Sequence, residues 1–254
     1  MANKESSSIL TTKEFWGNEW KDLKLPIVLD KNSRADRSFI NLYDKYLSKD
    51  NSLKKSSLEI GCNPGKFTIY CGKNLNYDIS GVDYDEKGCV LSKKNIEAAG
   101  ILGSILNQDI FDLKVENKFD LVISHGFIEH FSEEKLEEVL KIHVDLLNNN
   151  GKLFISVPNF RYLNFIFAYL FRRKLLDHHN LSVMQKSFFE DIANKYNLKI
   201  NYIGYFGGIH PGGLKFNKIN IFKKLISSME SFKLLDKINS KYFSHHVGAI
   251  FTKN

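Results

Sequence analysis

The eight residues from Leu58 to Gly65, LEIGCNPG, constrain this chain more than any others. A Leu-Glu-Ile run ends a buried strand on Glu59. Gly61 and Gly65 then let the backbone bend and approach a ligand closely, and Pro64-Gly65 opens a helix. Strand, glycine turn and helix in that order make a cradle for a nucleotide-like cofactor. A dinucleotide fingerprint requires G-x-G-x-x-G, with the helix amino end facing a pyrophosphate. Here the pattern is Glu-x-Gly-x-x-x-Gly, and its carboxylate stands where a pyrophosphate would be repelled, so the loop suits a cationic ligand. A tight strand-to-helix turn that holds no ligand is the structural alternative.

The residues downstream decide between these. Asp78 to Val82 predict a second strand that ends in Asp83 within GVDYDE, about one βαβ unit later, where ribose hydroxyls need an acceptor. A third strand, Gly103 to Asn107, runs into QDIFDL, which holds Asp109 and Ile110. KFDLVISHGFIEHF supplies a fourth strand over Asp120 to Ser124 and a turn at Gly126. NNNGKLFISVPN supplies a fifth strand, preceded by a turn and followed by Pro158. From Leu58 to Asn159 the alternation of short apolar runs with amphipathic segments predicts an α/β fold with a parallel sheet.

This ordered set of motifs resembles the class I S-adenosylmethionine-dependent methyltransferases, and the resemblance covers 58 to 159 most firmly. It implies a doubly wound, Rossmann-like, seven-stranded, mostly parallel sheet of order 3-2-1-4-5-7-6 with helices on both faces and a helical cap. It also implies S-adenosyl-L-methionine as cofactor, a molecule that carries an ammonium and a sulfonium. The cofactor contacts it implies are Glu59, Gly61, Asn63 and Gly65 in the loop, Asp83 with Tyr84 at the ribose, Asp109 at the adenine amino group, Ile110 against the ring, and His125 through its backbone.

A chain of 254 residues is long enough for one large α/β domain and short for two. The expected division is a tail with lid helices over 1–56, a cofactor-binding core over 57–159, and an acceptor cap with closing strands over 160–254. The net charge of +7 is spread over helices and loops, among them Lys21, Lys24, Lys93, Lys94, Lys223 and Lys224, and reads as a solvated surface. No nucleic-acid partner is expected from it. Cys62, Cys71 and Cys89 fit no zinc spacing and read as reduced, buried thiols. With no apolar leader in the first 20 residues, the expected compartment is the bacterial cytoplasm.

The flanks carry three further expectations. Phe15, Trp16 and Trp20 predict a short aromatic helix, and Asp36 to Leu47 a second helix presenting Phe39, Ile40, Tyr43 and Leu47. After Pro158, NFRYLNFIFAYLFRRKLL is dense in aromatics and closes on Arg172, Arg173 and Lys174. Such a segment is too short to span a bilayer; it either covers an acceptor pocket and packs, which is the preferred reading, or touches a membrane surface over 160–174. Lys199 to Tyr205 and VGAIFTKN predict the last two strands, with GGIHPGG and the Lys-rich 216–237 region between them.

Methyl transfer to a hydroxyl needs an aligned acceptor and a group to take its proton, and histidine is the natural base at neutral pH. Of eight histidines, His130 and His179 are expected at the carboxyl edge of the sheet, where ligands bind in such folds, with His178 and His210 as reserves. Some quinone-pathway relatives hold a metal through Glu-x-x-Glu/Asp-His after the fourth strand. Here that run is Gly126 to His130 without its first carboxylate, so no metal is expected. The leading function is therefore O-methylation of a small molecule or of a glycan or phosphorylated sugar of cell-envelope polysaccharide biosynthesis. RNA methylation and a silent methyltransferase fold acting as a binding protein are the alternatives; oligomeric state is left open.

Overall fold

The computed structural model describes residues 9–11, 24–47, 54–115, 117–209 and 238–254. The aromatic helix expected around Phe15, Trp16 and Trp20, the reserve His210 and the 216–237 region lie outside these described residues.

One seven-stranded sheet organises the chain, in the order β3-β2-β1-β4-β5-β7-β6. Its strands are β1 (Lys55–Ile60), β2 (Tyr77–Asp83), β3 (Gly103–Asn107), β4 (Phe119–His125), β5 (Leu147–Pro158), β6 (Leu198–Ile209) and β7 (Ser244–Lys253). The first five pair in parallel; β7 enters antiparallel between β5 and β6. Reversal of β7 matters for the site, because its first residues lie beside the last residues of β5, with His246 opposite Pro158.

The sheet is covered on both faces, as a parallel sheet must be. Side chains alternate along each strand, so β5 sends Leu153, Ile155 and Val157 into one apolar cluster and Phe154 into the other. Helices α4 (Glu133–Asp145) and α7 (Lys186–Lys195) close the first cluster with Leu136, Val139, Phe189 and Ile192. Helices α1 (Arg34–Tyr46), α2 (Lys66–Leu75) and α3 (Glu86–Ala98) close the second with Phe39, Tyr43, Ile69, Cys71 and Ile96. All three cysteines are free and buried, as the odd count and spacing suggested.

Caps set where helices begin. Ser33 accepts from the Asp36 amide at the start of α1, and Asp85 from the Gly88 amide at the start of α3 at 2.9 Å. The turn expected in NNNG is not a separate element but a bulge inside β5: Asn150 has φ of 62°, and the pairing jumps from Phe119↔Leu147 to Leu121↔Lys152.

The aromatic segment after Pro158 meets the expectation of a pocket cover only at its basic end. It forms α5 (Leu163–Phe171) followed by the short α6 (Arg173–Leu176). Leu163, Phe165, Ile166, Phe167, Tyr169 and Leu170 of α5 are exposed, and Ala168 is buried. Arg172 and Leu175, at the end of the same segment, line the cavity.

Phe189 is fully buried in the first cluster and touches no part of the cavity. Phe189→Ala is expected to cost about 3–5 kcal/mol in urea unfolding, the loss of a buried ring plus the hole it leaves.

Candidate active site

A cavity of about 550 Å³ opens at the carboxyl edge of the parallel strands. Glu59 forms its floor and is almost completely buried. Glu59 Oε2 accepts from the Thr68 amide at 2.8 Å and from the Thr68 hydroxyl, tying the end of β1 to the first turn of α2. Burial pushes this carboxyl up to about 8, against the Thr68 bonds and the Lys66 charge that hold it down.

The glycine loop is shaped from outside as well as by its own sequence. Gly61 has φ of 71°, and a Cβ there would stand 2.6 Å from Cδ2 of Phe127. Gly65, with φ of 85°, caps α2. The Asn63 amide donates to Asp83 Oδ2 at 3.4 Å, and the Asp85 amide to Asp83 Oδ1 at 2.9 Å, so the end of β2 holds the loop. Burial raises Asp83 above the ordinary carboxylate value. Asn63 Oδ1 is buried beside this cradle without a hydrogen-bond partner among the described residues. Asp109 caps the 3₁₀ turn Ile110–Asp112 by accepting from the Phe111 amide at 3.1 Å. Tyr84, Asp109 and Ile110 line the same wall, so the sequence-predicted cofactor residues other than Gly65 all reach the cavity.

His125 lines the cavity too, but both of its ring nitrogens are engaged: Nε2 with the Tyr43 hydroxyl at 2.8 Å and Nδ1 with the Ser156 hydroxyl at 2.7 Å. Packed against Phe67 and Phe154, with ring centroids at 4.3 and 4.6 Å, it joins α1, β4 and β5. Burial lowers its pKa to about 3.

The opposite wall holds His130 and His179, 49 positions apart in sequence, with ring centroids 4.7 Å apart. His130 Nδ1 is 2.9 Å from the His178 carbonyl and His179 Nδ1 is 2.6 Å from the Leu175 carbonyl. A carbonyl only accepts, so His179 keeps its proton on Nδ1 and turns Nε2 into a proton acceptor. Burial lowers His130 to about 3 and His179 to about 4, and both rings are neutral at pH 7.

Between the strands and these rings sits Glu129, almost completely buried, its Oε1 3.7 Å from His130 Nε2 and its Oε2 without a hydrogen-bond partner among the described residues. Burial raises it to about 8. Glu129, His130 and His179 offer ligand atoms within 4.8 Å of one another, a set that could hold a metal ion. The run Gly126 to His130 supplies two of these donors, and His179 joins them only through the fold.

Other expectations need correcting. His178 does not line the cavity; its Nδ1 faces the Leu10 carbonyl at 2.7 Å. Arg172 lines the cavity but Arg173 does not, lying instead over the Tyr169 ring at 5.1 Å. His245 and His246 were missed, although the reversed last strand delivers its first residues to the ligand edge and the pair directly precedes VGAIFTKN. The Asp36–Lys66 ion pair at 3.1 Å also lines the cavity and had no linear signature.

A sheet with this order and carboxylates at the ends of β1 and β2 defines a Rossmann-like cofactor-binding protein. Residues 58–151 match the family model described as a methyltransferase domain. Over those residues the chain is similar to methyltransferase domains of the class I, S-adenosylmethionine-dependent type. It is 26% identical over 153 residues to sphingolipid C9-methyltransferase 1 of Gibberella zeae, covering 59% of this chain and 26% of that protein. It is 25% identical over 105 residues to a probable cobalt-precorrin-6B C(15)-methyltransferase (decarboxylating) of Saccharolobus solfataricus, covering 39% of this chain and 50% of the relative. The matches thus span about a quarter and half of these relatives' lengths. The fold is similar to that of a SAM-dependent methyltransferase from Archaeoglobus fulgidus, with TM-score 0.56, 17% identity, and 85% and 90% of the two chains covered.

The buried groups set a pH profile for stability. His125, His130, His143 and His179 have folded pKa values near 3 to 4, below the ordinary 6.5, so the stability they contribute is lost as pH falls below 6.5. Glu59 and Glu129, raised to about 8 from 4.5, work the other way, losing stability as pH rises toward 8. Four groups outweigh two on the acid side, and unfolding free energy from urea titrations should peak near pH 6.5 and fall on both sides.

Proposed function

We propose that the protein is an S-adenosylmethionine-dependent O-methyltransferase whose acceptor hydroxyl is presented to His130 and His179. The observation that carries this reading is the two-sided cavity, with Glu59, Asp83 and Asp109 along one wall and two neutral imidazoles on the other. The cradle fits the cofactor: a Cβ at Gly61 would collide with Phe127, and Asn63 Oδ1 waits for a donor. Asp83 would take the ribose hydroxyls, Asp109 the adenine amino group and Ile110 the ring, with Glu59, Asn63 and the glycine loop around the cationic end.

Bound there, the cofactor supplies a methyl group already activated by positive sulfur. The chain's own task is alignment and removal of one proton. His179 Nε2 takes the hydroxyl proton, and His130, packed against it, fixes its orientation or takes the proton in its place. The acceptor is a small molecule or a cell-envelope glycan or phosphorylated sugar. Arg172, exposed at the cavity rim, supports an anionic acceptor group. Three buried, unpaired thiols support a reducing compartment such as the cytoplasm.

Calorimetry is expected to show heat for S-adenosylmethionine and its demethylated product and little for NAD. Asp83→Ala should weaken cofactor binding by about 1–3 kcal/mol. Tight NAD binding with no S-adenosylmethionine heat would refute the cofactor.

Replacing the base should cut turnover by about two to four orders of magnitude with cofactor affinity nearly intact. If His130→Ala and His179→Ala both keep near wild-type turnover, neither is the base. A second reading is favoured by the donor set of Glu129, His130 and His179. With imidazole as base, turnover survives a strong chelator; loss of turnover that a divalent ion restores would reassign the three side chains as metal ligands.

A further inference from the structure

Helix α5 is built inside out. A helix resting on a protein core turns its large apolar side chains inward and its polar ones outward. α5 instead meets the body through Asn164 and Ala168, four residues apart on one stripe. Asn164 Nδ2 donates to the Asn159 carbonyl at 2.9 Å and the Ser244 carbonyl at 3.0 Å, and Ala168 is buried. Leu163, Phe165, Ile166, Phe167, Tyr169 and Leu170 are each 39–63% exposed. A contiguous apolar surface of this kind marks a contact that the described residues do not supply.

The charges around the helix identify the partner. Asn159 to Leu176 contains Arg161, Arg172, Arg173 and Lys174 and no acidic residue. Arg161 lies over the Tyr162 ring at 5.6 Å, Arg173 over Tyr169 at 5.1 Å and Lys241 over Tyr162 at 5.5 Å. Cations lying along aromatic rings at both ends of a short apolar helix are matched by an interface that is oily inside and anionic at its surface. A second copy is a poor match: it would bring the same cations, on a chain of net charge +7, against these. Nine residues cannot span a bilayer, so the helix would lie in the plane of the interface.

Immediately beyond α5, Arg172 and Leu175 line the cavity. We propose that α5 docks on an anionic lipid bilayer, so that the cavity rim meets the membrane surface and receives an acceptor anchored there, such as a lipid-linked glycan. The docking stands on the helix alone; the lipid-anchored acceptor rests on the methyltransferase reading above.

The test is co-sedimentation of the full chain with phosphatidylcholine vesicles containing or lacking about a third phosphatidylglycerol, in low and high salt. The expected result is binding to the anionic vesicles, weaker binding to neutral ones, and loss with salt. The double variant Phe167→Asp/Leu170→Asp and the double variant Arg173→Glu/Lys174→Glu should each lower binding at least tenfold, with S-adenosylmethionine heat in calorimetry unchanged. Absence of vesicle binding with cofactor heat intact overturns the docking and leaves the methyltransferase reading standing. Vesicle binding without cofactor heat does the reverse. Equal binding by wild type and both variants overturns α5 as the docking element. So does a wild-type dimer in sedimentation velocity that Phe167→Asp/Leu170→Asp splits while vesicles bind neither protein.

Discussion

The bonds between Glu59 and Thr68 hold the site in place. A carboxyl group at the end of β1 accepts from both the amide and the hydroxyl of a residue in the first turn of α2, so the glycine loop between them has both ends pinned. Asp83 grips the same loop from β2 through the Asn63 amide, and Phe127, just beyond β4, closes against Gly61. Three neighbouring strands therefore fix one five-residue turn. The arrangement carries a cost: Glu59 is stripped of water, Asp83 lies nearby, and the Thr68 bonds and Lys66 only partly offset that burial. Polar groups so deeply buried are strongly stabilising when satisfied and costly when not.

The other wall is held by longer-range bonds. The Asn180 amide donates to the Glu129 carbonyl at 2.6 Å, His130 Nδ1 meets the His178 carbonyl, and the Leu10 amide donates to the His130 carbonyl at 2.7 Å. Segments from the start, middle and later part of the chain thus converge on the short turn Ile128–His130. That convergence buries Glu129 and draws the two imidazoles into contact. Because the surroundings are apolar, the carboxyl is pushed toward its neutral form and both rings are kept from charging. A cluster of neutral acid and bases beside a cofactor cradle suits proton transfer, and the same donors suit a cation.

Around this site the molecule divides its apolar residues in two ways. Those on the strands obey the period of two and fill two cores, one on each face. Those of α5 follow no such inward rule, because the stripe that faces the body carries Asn164 and Ala168. The apolar run there reads in sequence as packing material. Only the exposure of Phe167 and Leu170 separates a core helix from one with an outward apolar surface.

Much of the cofactor half was legible in the chain because its determinants are local. The placement of Glu59, Gly61 and Asp83 follows from strand-to-turn spacing within one βαβ unit, and the strands of β1 to β5 follow from short apolar runs. A residue at the end of a parallel strand has only one edge to go to, so those acids meet whatever the rest of the chain does. The opposite wall depends on long-range closure. That β7 runs backwards and brings His245 and His246 to the rim, that His179 crosses to His130, that His178 turns away, and that Arg172 faces the cavity while Arg173 lies on a tyrosine were decided only when distant segments packed. The local sequence determined the cradle because backbone geometry and side-chain period act over a few residues; tertiary structure decided the chemistry opposite it, because contacts between positions 10, 130 and 179 exist only once the sheet has closed.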